Sequence, residues 1–439
     1  MLAYYLKLAW LGARRAPVIT ALMILAIALG IGVTTTTLTV HHLMSSNPVE
    51  HRNDVLYAVT FDNWDPNEPW DEDRPELPPG DVTWIEAGAV LNSDVPDRKT
   101  VTRGVAFTLE PGSGVGAKPL MRDGLATTAD FFAMFDVPFL HGSAWDARAD
   151  RDAEPVVVLS KQTNEKVFGG ENSVGRTVRL DSRDYRVVGV LDDWRPTPKV
   201  YSPSSGAFHE PEDVFVPFSR ATQLEMQPNG NVNCWKPEAI GNFRDFLQSD
   251  CVWIQAWVEL RTPRQVERFQ AFMDGHVARQ KALGRFPRPL NNRLYRPDAW
   301  LERHEVVQDD NRVLLGLSFA FLAVCTLNVV GLLLAKFMGV AGRTALRRAL
   351  GASRREVFRQ HLVEVGAIGL VGGVFGLLLG AAGLAAMRRL YENYENLTQL
   401  DFATAGLALA LSLAAGVAAG LYPAWRVCRV QPASHLKTQ

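Results

Sequence analysis

The chain has 439 residues, with 46 Lys and Arg balancing 47 Asp and Glu. That near-neutrality excludes a broadly basic nucleic-acid binder and an acidic disordered chain. The length suggests two to three domains, and a 47% apolar content is ordinary, so the information lies in how the apolar residues are distributed.

Residues 1–16 hold Lys7, Arg14 and Arg15 and no acid. Residues 17–40 are then uncharged, longer than the apolar core of a secretory signal, about 7–15 residues. The following "HHLMSSNP" is a poor cleavage site, so this run reads as an uncleaved first membrane helix. Three more apolar stretches follow at 312–335, 362–387 and 402–424. Each has the roughly 20 residues that a helix needs to cross about 30 Å of hydrocarbon.

Between the first two helices, residues 41–311 are polar and mixed. "VLYAVTF" reads as an alternating strand. The acidic, Trp- and Pro-rich stretch 62–81 reads as a solvated loop, without the ligand spacing of a calcium loop. Strand-like pieces follow: "VTRGVAFTLE", "PVVVLS", "RTVRLDSRDYRVVGVLDDW" and "DVFVPF". Among them lie two short helices, "TADFFAMFDVPFLHG" and "SKQTNEKVFGG", the second capped by Ser160 and stopped by Gly169 and Gly170. "CVWIQAWVEL" is a strand, and "TPRQVERFQAFMDGHVARQKAL" is a helix opened by Thr-Pro. This order predicts an α+β domain with a second, β-rich module inserted in it.

Basic residues set the topology. They crowd residues 1–16, the connector 336–361 and the tail 425–439, whereas the loop 388–401 balances Arg388 and Arg389 with Glu392, Glu395 and Asp401. Four crossings with both termini inside fit this pattern. Cys234 and Cys251 then lie outside, where an oxidising compartment favours a disulfide between them.

No catalytic motif stands out. "GENSVGRT" is one residue from a P-loop, but it follows a helix and leads into a strand, the reverse of the order phosphate binding needs. No paired Cys–His zinc spacing and no H-E-x-x-H occurs. No directly bound cofactor, metal or catalytic residue is expected. The third apolar helix places Gly369, Gly373, Gly376, Gly380 and Gly383 at spacings that suit close helix packing. Only Asn328 and Glu364 stand out as polar groups of the membrane segments, which argues against a hydrophilic conduction path.

The connector is more than a charged string. Leu346, Leu350, Val357 and Phe358 supply an apolar side to its arginines. Gly351 breaks the helix, and Ser353 caps the next one with Glu356 as its capping-box partner. A shaped surface of arginine and apolar anchors suits a protein partner.

"GRTALRRALGASRREVFRQHLVEVGAIGLVGGVFGLLLG" resembles the hallmark of FtsX-like ABC permeases, and "LSLAAGVAAGLYPAWRVCRVQPASHLK" resembles the same family's closing segment. The N-terminal 32 residues are also similar, and residues 125–194 look like the periplasmic core domain of MacB-type and lipoprotein-releasing permeases. The resemblance implies a non-catalytic permease subunit in a bacterial inner membrane, with residues 41–311 as its periplasmic domain, divided into a porter-like module and an inserted β-rich one. It further implies a partner ABC ATPase dimer holding ATP-Mg. MacB itself carries its ATPase in the same chain, so a separate ATPase subunit is expected here. Arg347, Arg348, Ala349, Leu350, Gly351, Ala352, Ser353, Arg354, Arg355 and Glu356 are expected to couple to it.

Family architecture also implies a second permease chain, a paralogue slightly favoured over a second copy, meeting this one mainly through the first and second helices. Membrane lipid surrounds the helices. Tripartite members add a membrane-fusion protein and an outer-membrane channel. Function is expected to be relay of ATP-driven motion to the periplasmic domain, exporting or extracting an amphiphile, peptide or lipoprotein. The alternative is an FtsX-like signalling protein that regulates an envelope enzyme without transport.

Overall fold

A computed structural model describes residues 2–110, 119–307, 309–390 and 402–429. Of the expected loop 388–401 and tail 425–439, residues 391–401 and 430–439 lie outside that description. The chain forms two compact units, residues 1–45 with 307–439, and residues 46–306.

The first unit is helical. α1 (Leu2–Arg15) precedes α2 (Pro17–Ser45), and Pro17 opens α2 where its missing N–H costs nothing. α3 (Asp309–Gly339) is followed by the short α4 (Ala341–Ala349), then α5 (Arg354–Leu390) and α6 (Phe402–Cys428). α2, α3, α5 and α6 are long and apolar enough to cross a membrane. Each extends past its apolar run, because helical hydrogen bonding does not stop where the hydrocarbon does. Residues 354–361, expected within a separate connector, are thus the opening turns of α5. Met23, Ile27 and Ile31 of α2 pack with Val329 and Leu333 of α3 and Val365 of α5 in a common core.

The second unit is built on one ten-stranded sheet, ordered β10-β1-β9-β2-β3-β8-β5-β7-β4, with β6 pairing β2 and β7. The strands are β1 (Leu56–Thr60), β2 (Arg98–Glu110), β3 (Leu120–Thr127), β4 (Phe139–Gly142) and β5 (Val156–Leu159). They continue with β6 (Thr177–Leu180), β7 (Arg183–Leu191), β8 (Val214–Pro217), β9 (Gln255–Glu259) and β10 (Arg293–Tyr295). β2 joins the halves. Its residues 98–102 pair with β9, and residues 103–109 pair with β3. β1, β9 and β10 come from the two ends of the domain, so the segment from β3 to β8 interrupts them in sequence. "RTVRLDSRDYRVVGVLDDW" folds as the β6–β7 hairpin, with Asp181 and Ser182 both at positive φ, the backbone that a two-residue hairpin turn requires.

Both faces of the sheet are covered. Val157 and Leu159 enter one hydrophobic cluster while Val156 and Val158 enter another; Val214 and Val216 oppose Phe215 in the same way, and Ala256 and Val258 oppose Trp257. The unbroken apolar strands of the sequence are therefore central strands buried on both sides. Helix Pro263–Ala282 covers the first cluster through Phe269, Met273 and Val277, and Thr262 and Gln265 form its capping box. Ser160 caps helix Lys161–Phe168, and Gly169 ends it at φ +67°.

The stretch 62–81, expected to be a solvated loop, is anchored. Its ends are buried at Asp62 and Asp81. Arg288 and Arg293 donate to the carbonyls of Pro75 (3.0 Å) and Glu76 (2.8 Å), and Arg303 donates to Pro78 O. Proline leaves many carbonyls in such a loop without a local N–H partner, and the arginines fill that role. Cys234 and Cys251 are joined by a disulfide.

Candidate functional site: a capped turn above a buried ionic node

The turn after α4 is closed by backbone bonds. Leu350 N donates to Leu346 O (3.0 Å), Gly351 N to Arg348 O (3.1 Å) and Ala352 N to Arg347 O (3.1 Å). Gly351 has φ +104°, and a Cβ placed on it meets nothing within 4 Å. Glycine is thus required here for backbone conformation, not for space. Ser353 then caps α5 reciprocally: Glu356 N donates to Ser353 Oγ at 3.2 Å, and Ser353 N to Glu356 Oε2 at 3.0 Å.

The ten residues 347–356 divide by role. Arg347 donates to Gln360 Oε1, bracing α4 against α5. Arg348 donates to Cys428 O at 3.0 Å, the last carbonyl of α6, where a cation also meets the negative end of the helix dipole. Ala349 ends α4, and Ala352 is half-buried. Leu350, Gly351, Ser353, Arg354, Arg355 and Glu356 are exposed.

The single apolar side expected of Leu346, Leu350, Val357 and Phe358 does not form. Leu346 and Leu350 are 52% and 80% exposed, whereas Val357 is buried and Phe358 packs on the membrane core. The Gly351 turn separates the two helices, so the leucines of α4 and Val357 of α5 occupy different surfaces. The result is an exposed apolar tip beside exposed arginines.

Beneath the turn lies a node that sequence reasoning did not assemble. Lys336 Nζ of α3 stands 2.8 Å from Glu364 Oε1 of α5 and donates to Thr20 Oγ1 of α2 at 3.1 Å. His361 Nδ1 is 3.5 Å from Glu364 Oε2, and its ring lies 4.2 Å from that of Phe337. All three ionisable side chains are buried. Gly12 of α1 closes the node, since a Cβ there stands 2.7 Å from Glu364 Oε1. A buried pair of this kind adds little net stability, but removing one partner strands a charge. It therefore fixes the register of α3 on α5 about three helical turns from the Gly351 turn. The signal in the sequence is a lysine and a glutamate flanking two apolar runs: Glu364 stands out only as a polar group of a membrane segment, and Lys336 falls within the basic connector 336–361.

The five glycines of α5 expected to pack serve two neighbours. A Cβ on Gly369 meets Ser412 O at 3.0 Å, and one on Gly373 meets the Ser412 side chain, both on α6. Those on Gly376, Gly380 and Gly383 meet Ile31, Gly32 with Thr35, and Thr36 on α2. Thr36 Oγ1 also hydrogen-bonds Gly380 O at 3.4 Å. Gly372, absent from the expected set, lies against Ile27 of α2 with 2.7 Å for a Cβ. Small residues thus let two helices approach the α5 backbone on different sides. Among the described residues, no His, Cys, Asp and Glu group is arranged to hold a metal ion.

Four membrane-length helices, a basic turn after the second, and a large α+β domain between the first and second define a permease-type membrane protein. A family profile described as MacB-like periplasmic core domain matches residues 20–274, and one described as FtsX-like permease C-terminal matches 315–432. The chain belongs to the FtsX-like, MacB-type ABC transporter permeases.

Its relatives include the pyoverdine export ATP-binding/permease protein PvdT of Pseudomonas syringae pv. tomato, 24% identical over 379 residues, covering 83% of this chain and 50% of that protein. The macrolide export ATP-binding/permease protein MacB of Syntrophobacter fumaroxidans is 23% identical over 330 residues, 70% of this chain and 46% of that one. The chain spans about half the length of the curated relatives it matches. The solved periplasmic region of MacB from Actinobacillus actinomycetemcomitans aligns over 59% of this chain and 98% of that one, at 12% identity and a TM-score of 0.36.

Proposed function

We propose that this chain is the non-catalytic permease subunit of a MacB-type ABC exporter. ATP-Mg binds at a partner ATPase dimer, and the permease relays the resulting motion to its periplasmic domain. The observation that carries the coupling role is the exposed tip of Leu346 and Leu350 beside Arg354 and Arg355, set on a doubly capped turn. An apolar anchor flanked by arginine is the composition of binding hot spots, and the cap supplies the preorganisation that makes docking efficient. The node of Lys336, Glu364 and His361 ties that turn to α3 and α5, and the glycine contacts tie α5 to α2 and α6. Such helices suit transmission of movement better than passage of a solute.

In this reading both termini and the turn are cytoplasmic, as the basic residues direct, and a second permease chain completes the complex. Relatives named for pyoverdine and macrolide export direct the substrate reading to an amphiphile or a peptide-like metabolite. A membrane-fusion protein and an outer channel complete the export route. Reconstitution of the permease with its ATPase in liposomes tests the reading: the permease is expected to stimulate ATP turnover, and a transported amphiphile to raise it further. ATP turnover indifferent to the permease would refute the proposal.

A further inference from the structure

A groove of about 360 Å³ lies between the start of α5 and the end of α6. Four guanidinium groups line it, from Arg354, Arg355, Arg359 and Arg429, with Phe358 and Trp425 as apolar walls. Cys428 completes the lining and directs its thiol to Arg354 O at 3.7 Å. Among the described residues no carboxylate lines the groove. Glu356, the nearest acid in the connector, is turned back onto Ser353 N as a cap. Among the described residues none of the four arginines makes an ion pair, and residues 430–439 add no acid to the sequence.

Four like charges around so small a volume repel one another, and the local potential favours an anion. Its depth indicates which anion. The apolar run of α5 begins just after His361, and that of α6 ends near Pro423. The groove therefore sits where hydrocarbon gives way to headgroups. Trp425 and Tyr422 are 46% and 50% exposed there, and such aromatics populate the membrane interface. Arg429 stacks on the Trp425 ring at 3.9 Å, which holds its charge toward the groove and leaves its donors open.

We propose that this groove binds the phosphate of an anionic phospholipid, with the acyl chains lying in the bilayer alongside α6. Basic clefts between helix ends at a membrane face recognise such headgroups. A carboxylate from a protein partner is less well matched, because the inner wall of Arg359 and Trp425 lies about one helical turn to the membrane side of Arg354 and Cys428, which meet at the level of the turn. The inference does not rest on ATPase docking: it concerns the permease alone.

The test is native mass spectrometry of the full-length permease, without ATPase, in a neutral detergent titrated with phosphatidylglycerol or phosphatidylcholine. Phosphatidylglycerol is expected to bind specifically and phosphatidylcholine weakly. Arg359→Gln with Arg429→Gln is expected to weaken phosphatidylglycerol binding about 25-fold, as two factors of about fivefold. Arg14→Gln with Arg15→Gln removes the same charge outside the groove and is expected to change binding by less than about twofold. Lysine at positions 359 and 429 is expected to retain most of the affinity, since phosphate accepts a point charge; a loss equal to that of glutamine would point to a structural role and overturn the site. Equal effects of the two glutamine pairs, equal binding of the two lipids, or full displacement by millimolar inorganic phosphate would each overturn the proposal.

Discussion

Gly351→Val separates shape from charge at the turn proposed to dock on the ATPase. Because a Cβ at this position meets nothing within 4 Å, the substitution creates no clash and removes no charge. It acts only on a backbone held at φ +104°. A β-branched residue in such a region costs about 1–3 kcal/mol, which lowers the population of the native turn about 5- to 150-fold relative to relaxed alternatives. The exposed turn can relax locally, so helix insertion and overall stability are expected to survive. Gly342→Val is the matched control. It lies inside α4, also opens into free space, and has no positive φ, so valine there removes glycine's helical penalty. The assay is permease-stimulated ATP turnover in liposomes, with expression and topology checked by cysteine labelling. Gly351→Val is expected to lose most of the stimulation, Gly351→Ala to lose less, and Gly342→Val to keep it. Full coupled turnover of Gly351→Val at normal expression would show that the stretch serves topology alone.

Three further outcomes follow from other parts of the chain. Lys336→Met strands Glu364 in the buried interior of the helical unit and is expected to destabilise that unit by about 3–5 kcal/mol, with Glu364→Met recovering much of the loss; thermal unfolding of both singles and the double in detergent checks this, and additive losses refute the pairing. Cys234 and Cys251 are expected to resist alkylation until reduced, and reduction to cost about 3 kcal/mol for a loop closed across a separation of 17 residues; labelling of both thiols without reductant refutes the bridge. His304 is half-buried with its ring against Trp300, and desolvation first, then Arg303 and Arg74, depress its pKa to about 3 from 6.5. The unfolded chain therefore binds a proton below pH 6.5 that the folded chain refuses, so its contribution is intact above pH 6.5 and falls on acidification, by about 2 kcal/mol at pH 5. Asp81 and Asp150, raised to about 6 by burial, act in the opposite direction over the same range. His304→Gln is therefore expected to shift the net pH 7-to-5 change toward stability by about 2 kcal/mol; an unchanged slope refutes the assignment.

What was legible in the sequence was local. Uncharged runs announce membrane helices because a bilayer tolerates little else, and Ser353 with Glu356 announces a cap because both partners lie within one turn. The unseen features depend on distant partners. Lys336 and Glu364 are 28 positions apart, and only the packing of α3 on α5 brings them to 2.8 Å. Arg348 finds its carbonyl 80 positions away at Cys428. Leu346 and Leu350 fit an apolar helical face with Val357 and Phe358 only if no turn intervenes, and Gly351 supplies one. The loop 62–81 had the composition of a solvated segment, but composition does not show that arginines some 200 positions later reach its carbonyls.

These distant contacts have a common physical consequence in the helical unit. Interhelical association in a bilayer lacks the hydrophobic drive that assembles soluble domains, so it depends on close backbone approach and on polar pairs. α5 has both. Its glycines admit α2 and α6 to near backbone contact, and its Glu364 binds Lys336 of α3. The Gly351 turn enters α5 directly at Arg354, with Arg347 bracing the first turns and Arg348 the end of α6. A displacement applied at the turn therefore has few soft joints in which to dissipate before it reaches the far end of α5. Loosening the joint at Gly351 and loosening the node at Lys336 should accordingly be separable: the first should uncouple ATP turnover while leaving the helices stable, whereas the second should lower helix stability and coupling together. If Lys336→Met destabilised the unit yet kept full coupling, the node would be structural only, and transmission would have to run through the glycine contacts instead.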